Sequence, residues 1–146
     1  MTPADERGAR PRAVDVAYWL WLVCAGLLVL LGLLSLTASG AAVREQLLAN
    51  GADPGDVDAL VTLLRGSGAL ALAVGVGTGF LAGPVRAGDP RFRRAEVALS
   101  AVYAAVQLVA LAFGVGQLPT MLVAVGMLVA AVLVYLRSAA GWFVRG

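Results

Sequence analysis

Four long apolar runs, separated by polar segments, divide this 146-residue chain. The charge-free stretches are residues 16–36, 66–85, 97–118 and 118–136. About 20 apolar residues in a helix are needed to cross the roughly 30 Å hydrocarbon core of a bilayer. A soluble bundle would carry polar stripes at helical spacing, and these runs show none. We therefore predict an all-α fold, a four-transmembrane-helix bundle, with spans near residues 16–38, 62–84, 95–115 and 118–137.

The polar segments predict the rest of the organisation. Residues 1–13 are polar and of mixed charge, which predicts a disordered cytoplasmic tail before a single membrane domain over residues 14–146. Residues 41–50 predict a short helix that ends at Asn50-Gly51, and residues 53–55 form a turn signal. Asp56 is then expected to cap a helix that enters the second span, with a bend at residues 66–68. Together these elements predict an amphipathic helical hairpin between the first two spans.

The remaining connections are short. Pro84 is expected to close the second membrane helix, and Asp89 with Pro90 supplies an N-cap and a first helical residue for the third. Only residues 114–119 separate the third and fourth helices, so these two are predicted to be antiparallel neighbours.

Composition supports a membrane location, and charge predicts the orientation. Hydrophobic residues make up 60% of the chain and charged residues 14%, against about 45–50% and 25% in soluble domains. The 11 basic residues are all arginine, and histidine is absent. Only Arg44 and Arg65 lie between the first two spans, whereas the other nine flank the opposite ends: Arg7, Arg10, Arg12, Arg86, Arg91, Arg93, Arg94, Arg137 and Arg145. The positive-inside rule then predicts cytoplasmic N and C termini in a bacterial inner (plasma) membrane.

The first apolar run exceeds the roughly 7–15 residues of a signal-peptide core, so we expect an uncleaved first helix.

Small residues recur every four positions along the second predicted span. They are Ser67, Ala71, Gly75, Gly79 and Gly83. Because apolar burial gives no net drive for association in lipid, close backbone approach at small residues is a main source of helix pairing. We expect this ladder to form a packing face, used within the bundle in preference to a dimer or partner interface.

A polar pair marks the third predicted span. Gln107 lies near its middle, and Tyr103 lies one turn earlier on the same face. A buried amide needs a hydrogen-bond partner in hydrocarbon, so Gln107 is expected to face another helix. We consider Ser35, Ser100 or Thr78 as its partner, and an interhelical hydrogen bond is favoured over a ligand or ion path.

Charged side chains supply no further site in this reading. We expect no ionisable residue at membrane depth, which argues against proton-coupled transporters, pumps and ion-selective pores. The lone Cys24 and the absence of histidine argue against a redox pair, a metal site or a cofactor-dependent enzyme.

An ion on the acidic segment is considered and not favoured; its residues are Glu45, Asp53, Asp56 and Asp58. The basic patch is interpreted mainly as a topology signal, with contact to anionic lipid headgroups as the alternative; its residues are Arg86, Arg91, Arg93 and Arg94. Nucleic-acid binding is not expected.

The chain resembles the small, uncharacterised four-helix membrane proteins of high-GC actinobacteria. Three segments carry the resemblance: PRAVDVAYWLWL at residues 11–22, VREQLLANGADPGDVDALV at residues 43–61, and GDPRFRRAE at residues 88–96. The resemblance implies topology alone and assigns no site residue.

Two functional hypotheses follow. The first is a non-enzymatic structural, assembly or regulatory component that acts through helix packing, with membrane lipids and a membrane protein or a second copy as partners. The alternative is a transporter or channel subunit for an uncharged or lipidic solute, with a path lined by Tyr103, Gln107 and Thr78. An enzyme acting on lipids ranks third, because its acid and base would have to come from loop carboxylates.

Overall fold

The computed structural model describes residues 10–143, and within this range the secondary structure is entirely helical. The helices are α1 (Arg12–Thr37), α2 (Gly40–Ala49), α3 (Val57–Arg86), α4 (Pro90–Ala112), α5 (Leu118–Leu133) and α6 (Arg137–Ala140). The predicted all-α class is confirmed. Three helices, α1, α3 and α4, are long and apolar enough to cross a membrane, and α5 is a shorter apolar helix of 16 residues.

The four long helices pack side by side in the order α1, α3, α4, α5, and α5 closes the arrangement against α1. At one end, which we call the arginine end, α1 begins, α3 ends at Arg86 and α4 begins after Asp89. At the other end, the hairpin end, α1 passes into α2 and α4 into α5. Neighbouring helices are therefore antiparallel, as predicted for α4 and α5.

Several helix boundaries differ from the sequence-based ones. Helix α1 begins at Arg12, inside the predicted tail, whose first nine residues lie outside the described range. Helix α3 is continuous through residues 66–68, and Pro84 lies inside its last turn, where the helix continues to Arg86. Gly88 ends that turn with φ +96°, a conformation that favours glycine. Helix α5 ends at Leu133 rather than Arg137, and at about 1.5 Å per residue it spans only about 24 Å.

Glycines let α1 and α3 approach to backbone contact. A Cβ added at Gly68 would lie 2.6 Å from Ser35 Cβ, and one at Gly75 would lie 2.9 Å from the Ala25 carbonyl oxygen. From the α1 side, a Cβ at Gly32 would lie 2.7 Å from the Gly68 carbonyl oxygen. Any side chain at these three positions would force the helices apart, so the α1–α3 contact depends on glycine.

The predicted hairpin is present between α1 and the body of α3. Ser39 caps α2 by accepting a hydrogen bond from the Ala42 backbone N–H (3.1 Å), and Gly51 ends the helix with φ +86°. The Asp53 side chain accepts a hydrogen bond from the Gly55 N–H (2.8 Å), as expected for the predicted turn. Asp56 occupies the N-cap position of α3 but makes no capping hydrogen bond. Helix α2 contacts α3, which fixes the hairpin over the end of the four long helices.

Candidate functional site: a buried polar row and an open apolar groove

A row of polar side chains lies on the buried face of α4. Its members are Glu96, Ser100, Tyr103 and Gln107, all buried in the interior. Spacings of four, three and four residues keep them on one side of the helix, because three or four residues make about one turn. Two residues on neighbouring helices face this row, Thr78 of α3 and Trp21 of α1, and both are fully buried.

Two members of the row are hydrogen-bonded across helices. The Trp21 indole N–H donates to the Ser100 hydroxyl (3.2 Å), which itself donates to the Glu96 carbonyl oxygen (2.9 Å). Near the hairpin end, the Thr120 hydroxyl donates to the Gln107 side-chain oxygen (3.0 Å). The prediction that Gln107 bonds to another helix is therefore correct, although its partner belongs to α5.

The three partners considered from the sequence are wrong for physical reasons. Ser35 donates to the Leu64 carbonyl oxygen (2.8 Å), where α1 meets the first part of α3. Ser100 is engaged by Trp21, and Thr78 faces the Glu96 carboxyl instead. Gln107 lies close to the end of α4, where the short connection brings the first turn of α5 beside it. The short connection between α4 and α5 therefore determines the hydrogen-bond partner of Gln107.

Other polar atoms in the row lack partners among the described residues. Both carboxyl oxygens of Glu96, the Thr78 hydroxyl and the Tyr103 hydroxyl are buried without a completed hydrogen bond. Thr78 faces Glu96, and Tyr103 faces Gln107, but neither pair reaches hydrogen-bonding geometry. Buried polar groups are usually paired, so such a cluster needs an explanation.

One ionisable side chain, Glu96, is buried among the long helices. It lies in α4, one of the three helices able to cross a membrane, and its exposed fraction is 0%. The sequence reading missed it because the charge-free run was counted from Val97. The available signal was the polar spacing from Glu96 to Gln107, which repeats on one helical face.

An apolar groove of about 480 Å³ lies between α3 and α4 at the hairpin end. Small residues on both walls create the space, notably Gly66 and Ser67 on α3 and Ala110 on α4. Gln107, Gln117 and Thr120 supply its polar atoms, and no charged side chain lines it. Leu63 and Leu70 are partly exposed along its edge, so the groove is open to the surroundings. Its volume falls within the roughly 300–1,000 Å³ typical of small-molecule sites.

The predicted ladder of small residues does not lie on one face. Ala71 and Gly75 are buried in the contact between helices, whereas Ser67, Gly79 and Gly83 are exposed. No atom lies within 4 Å of a Cβ added at Gly79 or Gly83. Steps of four residues rotate by about 40° around a helix with 3.6 residues per turn, so the ladder winds away from α1. Most buried positions of α3 follow steps of three and four instead: Gly68, Ala71, Gly75, Thr78, Ala82 and Val85. Val57 and Val74 are buried as well.

Two of the four arginines considered for lipid contact are engaged inside the protein. Arg86 donates to the Asp15 carboxylate (3.0 Å), and its guanidinium lies 4.5 Å from the Tyr18 ring centroid. Arg93 lies over the rings of Tyr135 (4.8 Å) and Phe143 (4.5 Å). The other two, Arg91 and Arg94, are exposed at the arginine end.

The acidic segment is used structurally. Asp58 forms an ion pair with Arg44 across the hairpin, and Asp53 holds the turn before α3. Across residues 10–143, no group of three or more acidic, cysteine or histidine side chains is placed to hold a metal ion.

Comparisons with protein-family models, with curated proteins and with solved structures gave no match for this chain.

Proposed function

We propose that this protein is a small, non-enzymatic integral membrane protein that binds an uncharged lipidic molecule in the groove between α3 and α4. In this proposal α5 completes a fourth crossing, both termini face the cytoplasm of a bacterial inner membrane, and the hairpin lies on the outer surface. The arginine distribution supports that orientation. The observation that carries the proposal is the open groove with uncharged lining.

The lining chemistry defines the class of ligand. Leucine and valine walls favour an acyl or isoprenoid chain, and the amide and hydroxyl groups of Gln107, Gln117 and Thr120 offer hydrogen bonds to a neutral head. A carboxylate or phosphate would find no cation in the groove. An uncharged amphiphile, such as a diacylglycerol, satisfies both requirements. Gln107 belongs both to the groove and to the buried polar row of α4.

A groove-filling variant tests the proposal. The probe is a diacylglycerol with a photoactivatable group in its acyl chain, incorporated with the protein into liposomes. We expect labelling of peptides from α3 and α4 in the wild type and its loss in Ala110→Trp, because the indole would occupy the groove. Ala105→Trp is the matched control, since Ala105 is exposed on α4 and does not line the groove.

Two results would contradict this proposal. Equal labelling of the two tryptophan variants would show that the probe contacts the lipid-facing surface in general. Stronger labelling by a phosphatidylglycerol carrying the same chain would show that an anionic head is preferred, against the uncharged lining.

A second candidate function is assembly through helix packing, with a membrane protein or a second copy of this chain as partner. The exposed positions of Gly79 and Gly83 favour it, because small residues on a lipid-facing surface allow another helix to approach closely. Arg91 and Arg94 would then contact anionic headgroups beside the interface. The mass of the complex purified in mild detergent separates this candidate from a monomeric lipid binder.

A further inference from the structure

We propose that Glu96 is a proton-binding site within the membrane-embedded helices, formed by its carboxyl group and the facing Thr78 hydroxyl. This site goes beyond lipid binding and does not depend on it, because neither residue lines the groove. Three observations support it: burial, the missing hydrogen-bond partners and the missing counter-charge.

Burial of the site is complete. Glu96 and Thr78 each have an exposed fraction of 0%, and they belong to the facing helices α4 and α3. Both Glu96 carboxyl oxygens and the Thr78 hydroxyl lack a completed hydrogen bond. A protonated carboxyl group has an O–H that can donate to the Thr78 oxygen, which an ionised carboxylate lacks.

No described side chain supplies a counter-charge. On α4 itself, the Arg93 guanidinium is held over Tyr135 and Phe143. On α3, Arg86 is paired with Asp15 of α1. The ion pairs formed within residues 10–143 are Arg10–Asp15, Arg44–Asp58 and Arg86–Asp15, and none includes Glu96.

The other titratable side chains near the interior are a thiol and a phenol, and neither can carry a positive charge. The Cys24 thiol of α1 lies 3.7 Å from the Val123 carbonyl oxygen of α5, and the Tyr103 hydroxyl of α4 faces Gln107. An unpaired buried charge is strongly unfavourable, so the carboxylate needs a bound cation to neutralise it.

The space around Glu96 selects the cation. Since the side chain has no accessible surface, there is no room beside it for a water molecule or a hydrated metal ion. A proton needs no such space. Uptake and release then require α3 and α4 to separate near the arginine end, where Glu96 lies about two turns into α4. Buried carboxyl groups of this kind are typical of proton-linked membrane proteins.

Carbon-13 infrared spectroscopy tests the site without altering it. Glutamate occurs only at Glu6, Glu45 and Glu96, so the double variant Glu6→Gln, Glu45→Gln leaves Glu96 as the single labelled glutamate. In liposomes at about pH 8, an exposed glutamate is ionised because its ordinary pKa is about 4.3. We expect a protonated-carboxyl band that shifts with the label. A spectrum with carboxylate bands alone would overturn the proposal.

Thermal unfolding provides an independent readout. Stability falls with rising pH wherever the folded state binds more protons than the unfolded state. We therefore expect the wild-type melting temperature to fall from about pH 6 to about pH 7.5, where ordinary glutamates and thiols do not titrate, and the slope to be lost in Glu96→Gln. Glu45→Gln is the matched control and should behave as the wild type, because Glu45 is exposed on α2.

A sodium arm separates the two possible cations. Replacement of choline chloride by sodium chloride at constant pH should leave the wild-type melting temperature unchanged. A sodium-dependent rise that disappears in Glu96→Gln would assign the site to a metal ion and overturn the proton assignment. If Glu96→Gln does not fold, the infrared result on the double variant decides the proposal alone.

Discussion

Substitution of Gly75 by alanine tests how strongly the fold depends on backbone contact between α1 and α3. The added Cβ would lie 2.9 Å from the Ala25 carbonyl oxygen, 2.9 Å from Leu28 Cβ and 3.0 Å from the Val29 nitrogen. Two of these three atoms belong to the backbone and cannot move away as a flexible side chain would. The helices must therefore separate locally.

The expected magnitude combines two opposing effects. Overpacking of a close contact costs about 1–3 kcal/mol, and the higher helix propensity of alanine offsets up to about 1 kcal/mol. We expect Gly75→Ala to lower the free energy of unfolding by about 1–2 kcal/mol. Gly79→Ala is the matched control on the same helix, because no atom lies within 4 Å of its added Cβ. That variant should be neutral or up to about 1 kcal/mol more stable.

The assay is reversible unfolding in mixed micelles, with helix separation followed by energy transfer between labels on α1 and α3. The same titration on the wild type and both variants gives the two differences in free energy. Equal free energies for Gly75→Ala and Gly79→Ala would refute the reasoning, and so would a larger loss in Gly79→Ala, since the contact would then lie on the other face of α3.

Two further predictions concern the surface and the arginine end. Arg86→Gln should lower the free energy of unfolding by about 1 kcal/mol because it removes the Asp15 ion pair and the contact with the Tyr18 ring. Arg91→Gln, at an exposed position, should change it little. Thermal unfolding at low salt measures both variants, and equal losses would contradict the assigned contacts. Gly79→Leu should reduce the mass of a purified complex if assembly uses the exposed glycine face of α3. Gly26→Leu, also at an open position, should leave that mass unchanged. An unchanged mass in Gly79→Leu would exclude this face of α3 as the assembly surface.

Sequence patterns predicted most of the helices because capping and turn residues act locally. Asp89 with Pro90 begins α4 where expected, and the Asp89 side chain accepts a hydrogen bond from the Arg91 N–H (2.8 Å). Gly51 ends α2 for an equally local reason, its positive φ. The prediction that Pro84 closes the helix is wrong: proline removes a single backbone hydrogen bond, and α3 continues to Arg86 before the left-handed Gly88.

The glycine contact, the Glu96 site and the groove were less predictable, because they depend on which faces of the helices pack together. The ladder of Gly75, Gly79 and Gly83 has a regular sequence period, but that period does not follow the contact line of two antiparallel helices. Glu96 lies one residue before a charge-free run, and only the position of α3 shows that it faces Thr78. The groove depends on the separation of α3 from α4, which no local pattern encodes.

Contacts made by residues 142 and 143 affect the order in which the protein can fold. The Trp142 indole N–H donates to the Arg86 carbonyl oxygen (3.2 Å), the Arg10 guanidinium lies 5.6 Å from the Trp142 ring centroid, and Phe143 covers Arg93. Ribosomes synthesise chains from the N terminus, so α1 and α3 can pair long before these residues emerge. The arginine end can close only when synthesis has passed Phe143. An arrested nascent chain ending before Trp142 should therefore lack the hydrogen bond to the Arg86 carbonyl oxygen and leave Arg93 in contact with Tyr135 alone.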